Sequence, residues 1–187
     1  FKILREARKD SHPSPVPCFL IRHPSVGPIL VDTGLHPSIS SDPSKNLGRM
    51  GTNFYKPELG PGEDASSQLR DKGVDPASVR LVILTHLHID HASAIADFPD
   101  STLIVTANEW EAATSGAMPF REGYRREQFD YAFDYRTVSF DTDDVNSYAS
   151  FGRTIDLFGA GSIPLASTSG HTSGHQPLIV RLKDRDM

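Results

Sequence analysis

The run Leu81-Val82-Ile83-Leu84, separated by one Thr from His86-Leu87-His88-Ile89-Asp90-His91, constrains this chain more than any other stretch. Four consecutive aliphatic residues fit a short strand covered on both faces, the pattern of a parallel sheet with layers above and below it. Directly after it stand three histidines and one aspartate within six positions. A neutral imidazole is a nitrogen ligand for divalent metals, and a carboxylate adds a hard oxygen and a negative charge. Polar groups set beside a buried sheet need partners, and a metal ion supplies them.

Spacing then gives geometry. His86 and His88 are two apart, so in an extended chain both rings point the same way and one metal can take both. Asp90 and His91 follow as the chain turns into a helix, so their side chains diverge from the first pair, which suits a second metal close by. A lone histidine there would read as incidental, with Asp90 a helix cap; four such residues together read as a metal site. A second segment, Thr168-Ser169-Gly170-His171-Thr172-Ser173-Gly174-His175, is built of small residues with two glycines. A tight loop of this kind lets a histidine approach a ligand closely and supply the third nitrogen of a catalytic zinc site. Spacing alone does not choose between His171 and His175.

The surrounding pattern is a layered α/β domain spanning residues 1–187 as one unit, long enough for a single sizeable core. Cys18–Arg22 and Pro28–Val31, separated by Pro24-Ser25-Val26-Gly27, predict a hairpin whose second strand delivers Asp32 and Gly34 to a loop. A helix is expected from about Asp64 to Lys72, ended by Gly73. Another is expected from His91 over Ala92–Ala96, and a third with Asn108 as its N-cap. Strands are expected at 103–105, 154–158, 163–166 and 178–182. The segment from His36 to Gly62 is long for a connection, and its Met50, Phe54 and Tyr55 argue for a substrate lid or a packed surface segment rather than a linker. Tyr124–Phe129 reads as an amphipathic helix whose Phe129, with Phe133, is core.

A net charge of −5 argues against nucleic acid as a partner. No apolar stretch reaches bilayer length and no signal peptide is visible, so a membrane is not expected. The single cysteine, Cys18, excludes an internal disulfide and fits a reducing, cytoplasmic setting; in its apolar surroundings it reads as a buried small hydrophobe. A homodimer is compatible with all of this. Because the chain begins at Phe1 rather than Met, a preceding segment is expected.

Three segments together carry a resemblance. His86–His91 matches the HxHxDH motif of the metallo-β-lactamase superfamily, and Val31-Asp32-Thr33-Gly34 matches its preceding strand-loop. Thr168–His175 resembles its TPGHTPGH segment, with serines where prolines are usual. The long loop after Asp32 and the ending Gly174-His175-Gln176 resemble the N-acyl-homoserine lactone lactonase branch. The resemblance implies a four-layer αββα sandwich and two zinc ions per complete protein, with Mn, Fe or Co as alternatives. It implies His86, His88 and His171 as ligands of the first ion, and Asp90 and His91 as ligands of the second. Asp90 would also be the catalytic proton donor, Asp32 would orient a ligand histidine, and His175 would be structural. His12, His23 and His36 lie outside these motifs and read as surface or loop residues.

The implied activity is hydrolysis of a small-molecule lactone or related ester by a metal-bound hydroxide. A glyoxalase II-like thioesterase, a β-lactamase-like enzyme and a non-catalytic metal-binding or association domain are the alternatives. Met50, Phe54, Tyr55 and the aromatics between Phe120 and Phe133 would line a pocket for an acyl chain, with Tyr124 open between pocket and core. Family members also carry a bridging Asp on a later strand, a Tyr close behind it, and a final His on a last loop. Asp184 and Asp186 lie in a charged run that reads as a solvated turn, so none of these is matched. The expectation is a sandwich lacking its C-terminal strands and helix in this chain, with more sequence beyond Met187.

Overall fold

A computed structural model describes residues 14–54, 56–116, 119–131, 134–159 and 161–182. The expected hairpin forms first. β1 (Phe19–His23) and β2 (Gly27–Val31) pair antiparallel, Phe19 opposite Val31 and His23 opposite Gly27. The turn is closed by the His23 ring, whose Nδ1 accepts from Ser25 N at 3.3 Å and Val26 N at 3.2 Å. A histidine expected to be incidental therefore has a local structural task.

β3 (Leu81–Ile83), β4 (Thr102–Thr106) and β5 (Tyr135–Val138) then add in parallel, giving the order β1-β2-β3-β4-β5. Side chains alternate across a strand, and the buried residues divide accordingly. Leu30, Val82, Leu84, Leu103 and Val105 face one core, shared with Leu69, Ala92 and Ala113 from the helices. Ile29, Ile83 and Ile104 face another, shared with Phe140, Ile163 and Leu165. The aliphatic run at 81–84 is thus covered on both faces, as its composition demands.

The second core belongs to an antiparallel sheet of β6 (Asn146–Tyr148), β7 (Phe151–Asp156) and β8 (Pro164–Ala166). Helices α1 (Pro43–Phe54), α2 (Ala65–Asp71), α3 (Ile89–Ala92) and α4 (Ala107–Ser115) complete the described regular elements with short 3-10 turns. Among the described residues the layers are helix, sheet and sheet of the αββα sandwich. None of the described helices is long and apolar enough to cross a membrane.

Four expectations need correction. The helix near His91 starts at Ile89, because His88 rather than Asp90 takes the extended N-cap conformation (φ −64°, ψ 154°), and it ends at Ala92 before a separate 3-10 turn at Ile95–Asp97. The N-cap of α4 is Thr106, whose hydroxyl accepts from Glu109 N at 3.1 Å, not Asn108. The Tyr124–Phe129 stretch forms only a 3-10 turn, Arg126–Gln128. Residues 177–181 run beside β8 with bonds Ala166 N to Pro177 O (3.0 Å), Ile179 N to Pro164 O (2.9 Å) and Arg181 N to Ser162 O (3.1 Å), but carry isolated bridge residues, Leu178 and Arg181, rather than a continuous strand.

The long segment after His36 is also more ordered than a loop. A 3-10 turn, Pro37–Ser40, is capped by His36, whose Nδ1 accepts from Ser38 N at 3.1 Å. In α1 the helix breaks at Gly48 (φ 69°, ψ 164°). The Arg125 guanidinium occupies that break: it donates to Leu47 O at 2.6 Å, and a Cβ on Gly48 would lie 2.6 Å from it. Asn46 adds a bond to Ser93 O at 3.1 Å and receives one from Gln128 at 2.6 Å. Leu47, Ile39 and Ile89 form their own small core, so α1 packs directly on the His-rich loop. The Met50 and Phe54 side chains, Tyr55, Phe133 and His12 lie outside the described residues. Arg125→Ala leaves the Leu47 carbonyl without its donor and is expected to destabilise the chain by about 1–3 kcal/mol. Limited proteolysis should then cut faster within residues 43–54; an unchanged rate would mean that Leu47 packing alone holds the segment.

Candidate metal centre

β3 leads the chain out of the sheet at Thr85, and Asp32 fixes where it goes. The Asp32 carboxylate accepts from Thr85 N at 2.8 Å and from the Thr85 hydroxyl at 2.8 and 3.1 Å. Asp32 sits at φ 56°, a left-handed conformation that Asp tolerates better than most residues. Its other contact is His91 Nδ1 at 2.8 Å, while Thr33 N and Oγ1 both donate to His91 O at 2.8 and 2.9 Å. Asp32 is therefore both a turn residue and the partner that orients a histidine.

With Thr85 fixed, His86 points inward, only 2% exposed, and the two-residue spacing brings His88 alongside it, ring centroids 4.6 Å apart. His171 arrives from the second loop, closed by Thr168 N to His175 O (3.1 Å) and Gly170 N to Thr172 O (2.9 Å). One ring nitrogen from each of His86, His88 and His171 lies within 4.8 Å of the others. His175 stands behind them, its Nδ1 2.8 Å from the Thr168 hydroxyl. Asp90 and His91 lie on the first turn of α3, Asp90 Oδ2 3.5 Å from His91 Nε2, with the Asp90 side chain half exposed.

The electrostatics suit a cation. Burial and then the neighbouring imidazoles push the His86 pKa down to about 2. Burial, followed by His171, also lowers that of His88. Both rings are neutral at physiological pH, with nitrogen lone pairs available. His86 Nε2 is buried and has no hydrogen-bond partner. An orphaned buried acceptor or donor costs about 1–3 kcal/mol, and a divalent ion held by three imidazoles would remove that cost. The residues present fit a metal.

For His91, burial lowers the pKa, but the Asp32 hydrogen bond and charge outweigh it, and the net shift is upward from 6.5. In the metal-free chain this pair stabilises the fold below the unfolded-state value of 6.5, and the contribution fades as pH rises through the raised folded value. Asp32→Asn keeps a residue type that accepts positive φ and removes the charge. Its expected effect is a lower His91 titration midpoint, read from ring-proton shifts of the metal-free chain; an unmoved midpoint would contradict the pairing.

Two residues at the site were not anticipated, and the open reading of a third, Tyr124, resolves to core. Glu109, fully buried, accepts from Leu87 N at 2.9 Å and from Gly174 N at 3.1 Å. Gln176, also fully buried, donates from its side chain to Leu84 O and from its backbone to Thr85 O, both at 2.9 Å. Tyr124, 3% exposed and part of the core, stacks obliquely on His88 at 5.1 Å. Beneath the same ring lies Gly123 (φ 96°), where a Cβ would stand 2.9 Å from His88. The sequence did carry one signal for Glu109, since Thr106-Ala107-Asn108-Glu109 has the form of a capping box. The Thr half of that box forms, while the carboxylate is used elsewhere.

A cavity of about 1460 Å³ opens onto His88, Asp90 and His171. Its apolar wall includes Leu20, Leu30, Leu35, Leu47, Leu59 and Leu69.

The sandwich, the HxHxDH loop and the converging histidines agree with the comparisons. The chain belongs to the metallo-beta-lactamase superfamily, whose family model matches residues 12–186. It is 34% identical over 169 residues to the N-acyl homoserine lactonase AttM of Azorhizobium caulinodans, covering 90% of this chain and 60% of that protein. It is 28% identical over 166 residues to an N-acyl homoserine lactonase of Bacillus cereus, covering 89% and 58%. The chain thus spans about three fifths of the length of these curated relatives. Among solved structures, it resembles an N-acyl homoserine lactone hydrolase with the product N-hexanoyl-L-homoserine bound at the catalytic metal center. That likeness has a TM-score of 0.67 and 26% identity, and covers 89% of this chain and 58% of the other.

Proposed function

We propose that this chain carries the metal centre of a hydrolase that opens lactones, with N-acyl homoserine lactones as the substrate class. In this reading His86, His88 and His171 hold one zinc ion, and Asp90 with His91 contributes to a second. The observation that carries it is the convergence of three ring nitrogens within 4.8 Å, in a cluster where His86 Nε2 is buried without a partner, at the end of a cavity with one leucine-lined wall. The lactonase names of the relatives and the acyl-homoserine product in the similar hydrolase support the substrate class. Nitrogen and carboxylate donors also accept Mn, Fe or Co.

A divalent ion bound there polarises a carbonyl and acidifies water toward neutrality. The chain's own groups do the rest. Asp32 and Thr85 keep the ligand loop in place, and the leucine wall takes the acyl chain out of water. Asp90, half exposed beside the triad, takes a proton from the attacking water as its oxygen bonds to the carbonyl carbon, and hands it to the departing alkoxide oxygen as the lactone C–O bond breaks. The test is acid release by the zinc-loaded protein from acyl-homoserine lactones and, separately, thiol release from S-lactoylglutathione. Lactone opening that disappears in His88→Ala is expected. No opening of any lactone at millimolar concentration would overturn the reading, and turnover of the thioester alone would replace it with a glyoxalase II-like one.

A further inference from the structure

The two loops that carry the three histidines come from distant parts of the chain, and a single carboxylate joins them. Leu87 lies between His86 and His88, and Gly174 lies three residues beyond His171. Both donate their backbone N–H to Glu109, one to each carboxylate oxygen, at 2.9 and 3.1 Å. We propose that Glu109 is the positioning residue of the metal centre, setting the separation of His86 and His88 from His171. This rests on the three-histidine reading above.

Three observations carry it. First, Glu109 is not acting as a helix cap. Its own N–H is bonded to Thr106 Oγ1 at 3.1 Å, and its carboxylate is engaged by two loops outside the helix. Second, the grip on the Gly174 loop is double. Thr106 Oγ1 donates to Gly174 O at 2.8 Å while Glu109 accepts from Gly174 N, so the start of α4 holds both polar groups of that residue. Contact is so close that a Cβ on Gly174 would run into Thr106 Oγ1 and the Glu109 backbone nitrogen. Third, the Glu109 carboxylate acts on the phenol of Tyr124, whose ring lies 5.1 Å from that of His88. One buried side chain thus reaches all three ligand positions: His86 and His88 through Leu87, His88 again through Tyr124, and His171 through Gly174.

The chemistry explains why a carboxylate stands there. Burying one is strongly unfavourable unless its oxygens are hydrogen-bonded, and here each oxygen accepts from a buried backbone N–H. A carboxylate accepts two charge-assisted bonds and presents none of its own hydrogens to backbone N–H groups. Its negative charge also acts on His88, beside the place where a cation would sit. An amide at this position offers one acceptor oxygen, and its NH₂ faces a backbone donor.

The test uses the whole chain and two probes, zinc affinity by chelator competition and the visible absorption of the cobalt form. E109Q is expected to bind zinc about 10–100-fold more weakly and to shift the cobalt bands, whereas E109D, which keeps the charge, recovers part of the affinity. A surface or purely structural role would lower the melting temperature without moving the cobalt bands. Wild-type affinity and an unchanged cobalt spectrum in E109Q would overturn the positioning role while leaving the triad intact. A wild-type chain that takes up no metal would overturn the triad reading and this proposal with it. Should E109Q not fold, amide exchange on the wild type decides. Zinc is expected to slow exchange at Leu87 and Gly174 at least tenfold more than at Ala166 in β8, and equal slowing would overturn the proposal.

Discussion

His86→Leu is expected to abolish tight metal uptake while leaving the metal-free chain at least as stable as the wild type. The two effects have opposite physical origins. Zinc held by protein ligands binds with about 10–16 kcal/mol, so removing one of three nitrogen donors is expected to forfeit on the order of 3 kcal/mol or more. That is a loss of a hundredfold or greater. In the metal-free chain, however, His86 Nε2 is buried with no hydrogen-bond partner. Leucine removes that orphan and fills a comparable volume in a site that is only 2% exposed, which relieves about 1–3 kcal/mol. The hydrogen bond it loses, His86 Nδ1 to Thr85 Oγ1 at 3.0 Å, is covered because Thr85 keeps its bonds to Asp32. Urea unfolding with and without zinc separates the two terms. At a zinc concentration of about 100 times the wild-type Kd the wild type gains about 2.7 kcal/mol, and the variant gains no more than about 0.4 kcal/mol. Equal stabilisation of both proteins by zinc would contradict the assignment of His86.

The second large effect falls on stability. Gly174 has an ordinary backbone conformation, so its requirement is spatial: a Cβ would run into Thr106 Oγ1, Glu109 N and Glu109 Cβ. None of these is the free end of a flexible side chain, and all are buried. Gly174→Ala therefore adds overpacking of about 1–3 kcal/mol to the loss of two hydrogen bonds at about 1 kcal/mol each. The expected destabilisation is about 3–5 kcal/mol. For a domain of this size, each kcal/mol lowers the melting temperature by about 2–4 °C. Gly152→Ala is the matched control, because nothing lies within 4 Å of its added Cβ and it should stay within about 0.5 kcal/mol of wild type. A Gly174 variant as stable as that control would mean that α4 and the second loop separate easily, against the close approach described here.

Much of the fold could be read locally. The 81–84 run, the hairpin around Pro24–Gly27 and the Asp64-capped helix each follow from one short pattern, and each formed. The geometry of His86 and His88 likewise followed from two-residue spacing. What escaped reading depends on partners far away in sequence. α1 contains a proline, a serine and two glycines that look like a loop, and its break at Gly48 is filled by Arg125 from another part of the chain. Glu109 stands in a capping-box pattern, but Leu87 and Gly174 claim its carboxylate instead. Thr106 ends β4 and caps α4 at once, so the cap lies inside the strand pattern, two residues before Asn108. Spacing could not choose between His171 and His175, and the fold brings His171 into the triad while Thr168 engages His175.

The most direct test of the central proposal is X-ray absorption at the zinc edge of the chain loaded with one equivalent of zinc. The triad predicts a first shell with three imidazole nitrogens at about 2.0–2.1 Å, falling to two in His171→Ala and unchanged in His175→Ala. A shell without three imidazoles, or one that loses a nitrogen with His175 rather than His171, would contradict it.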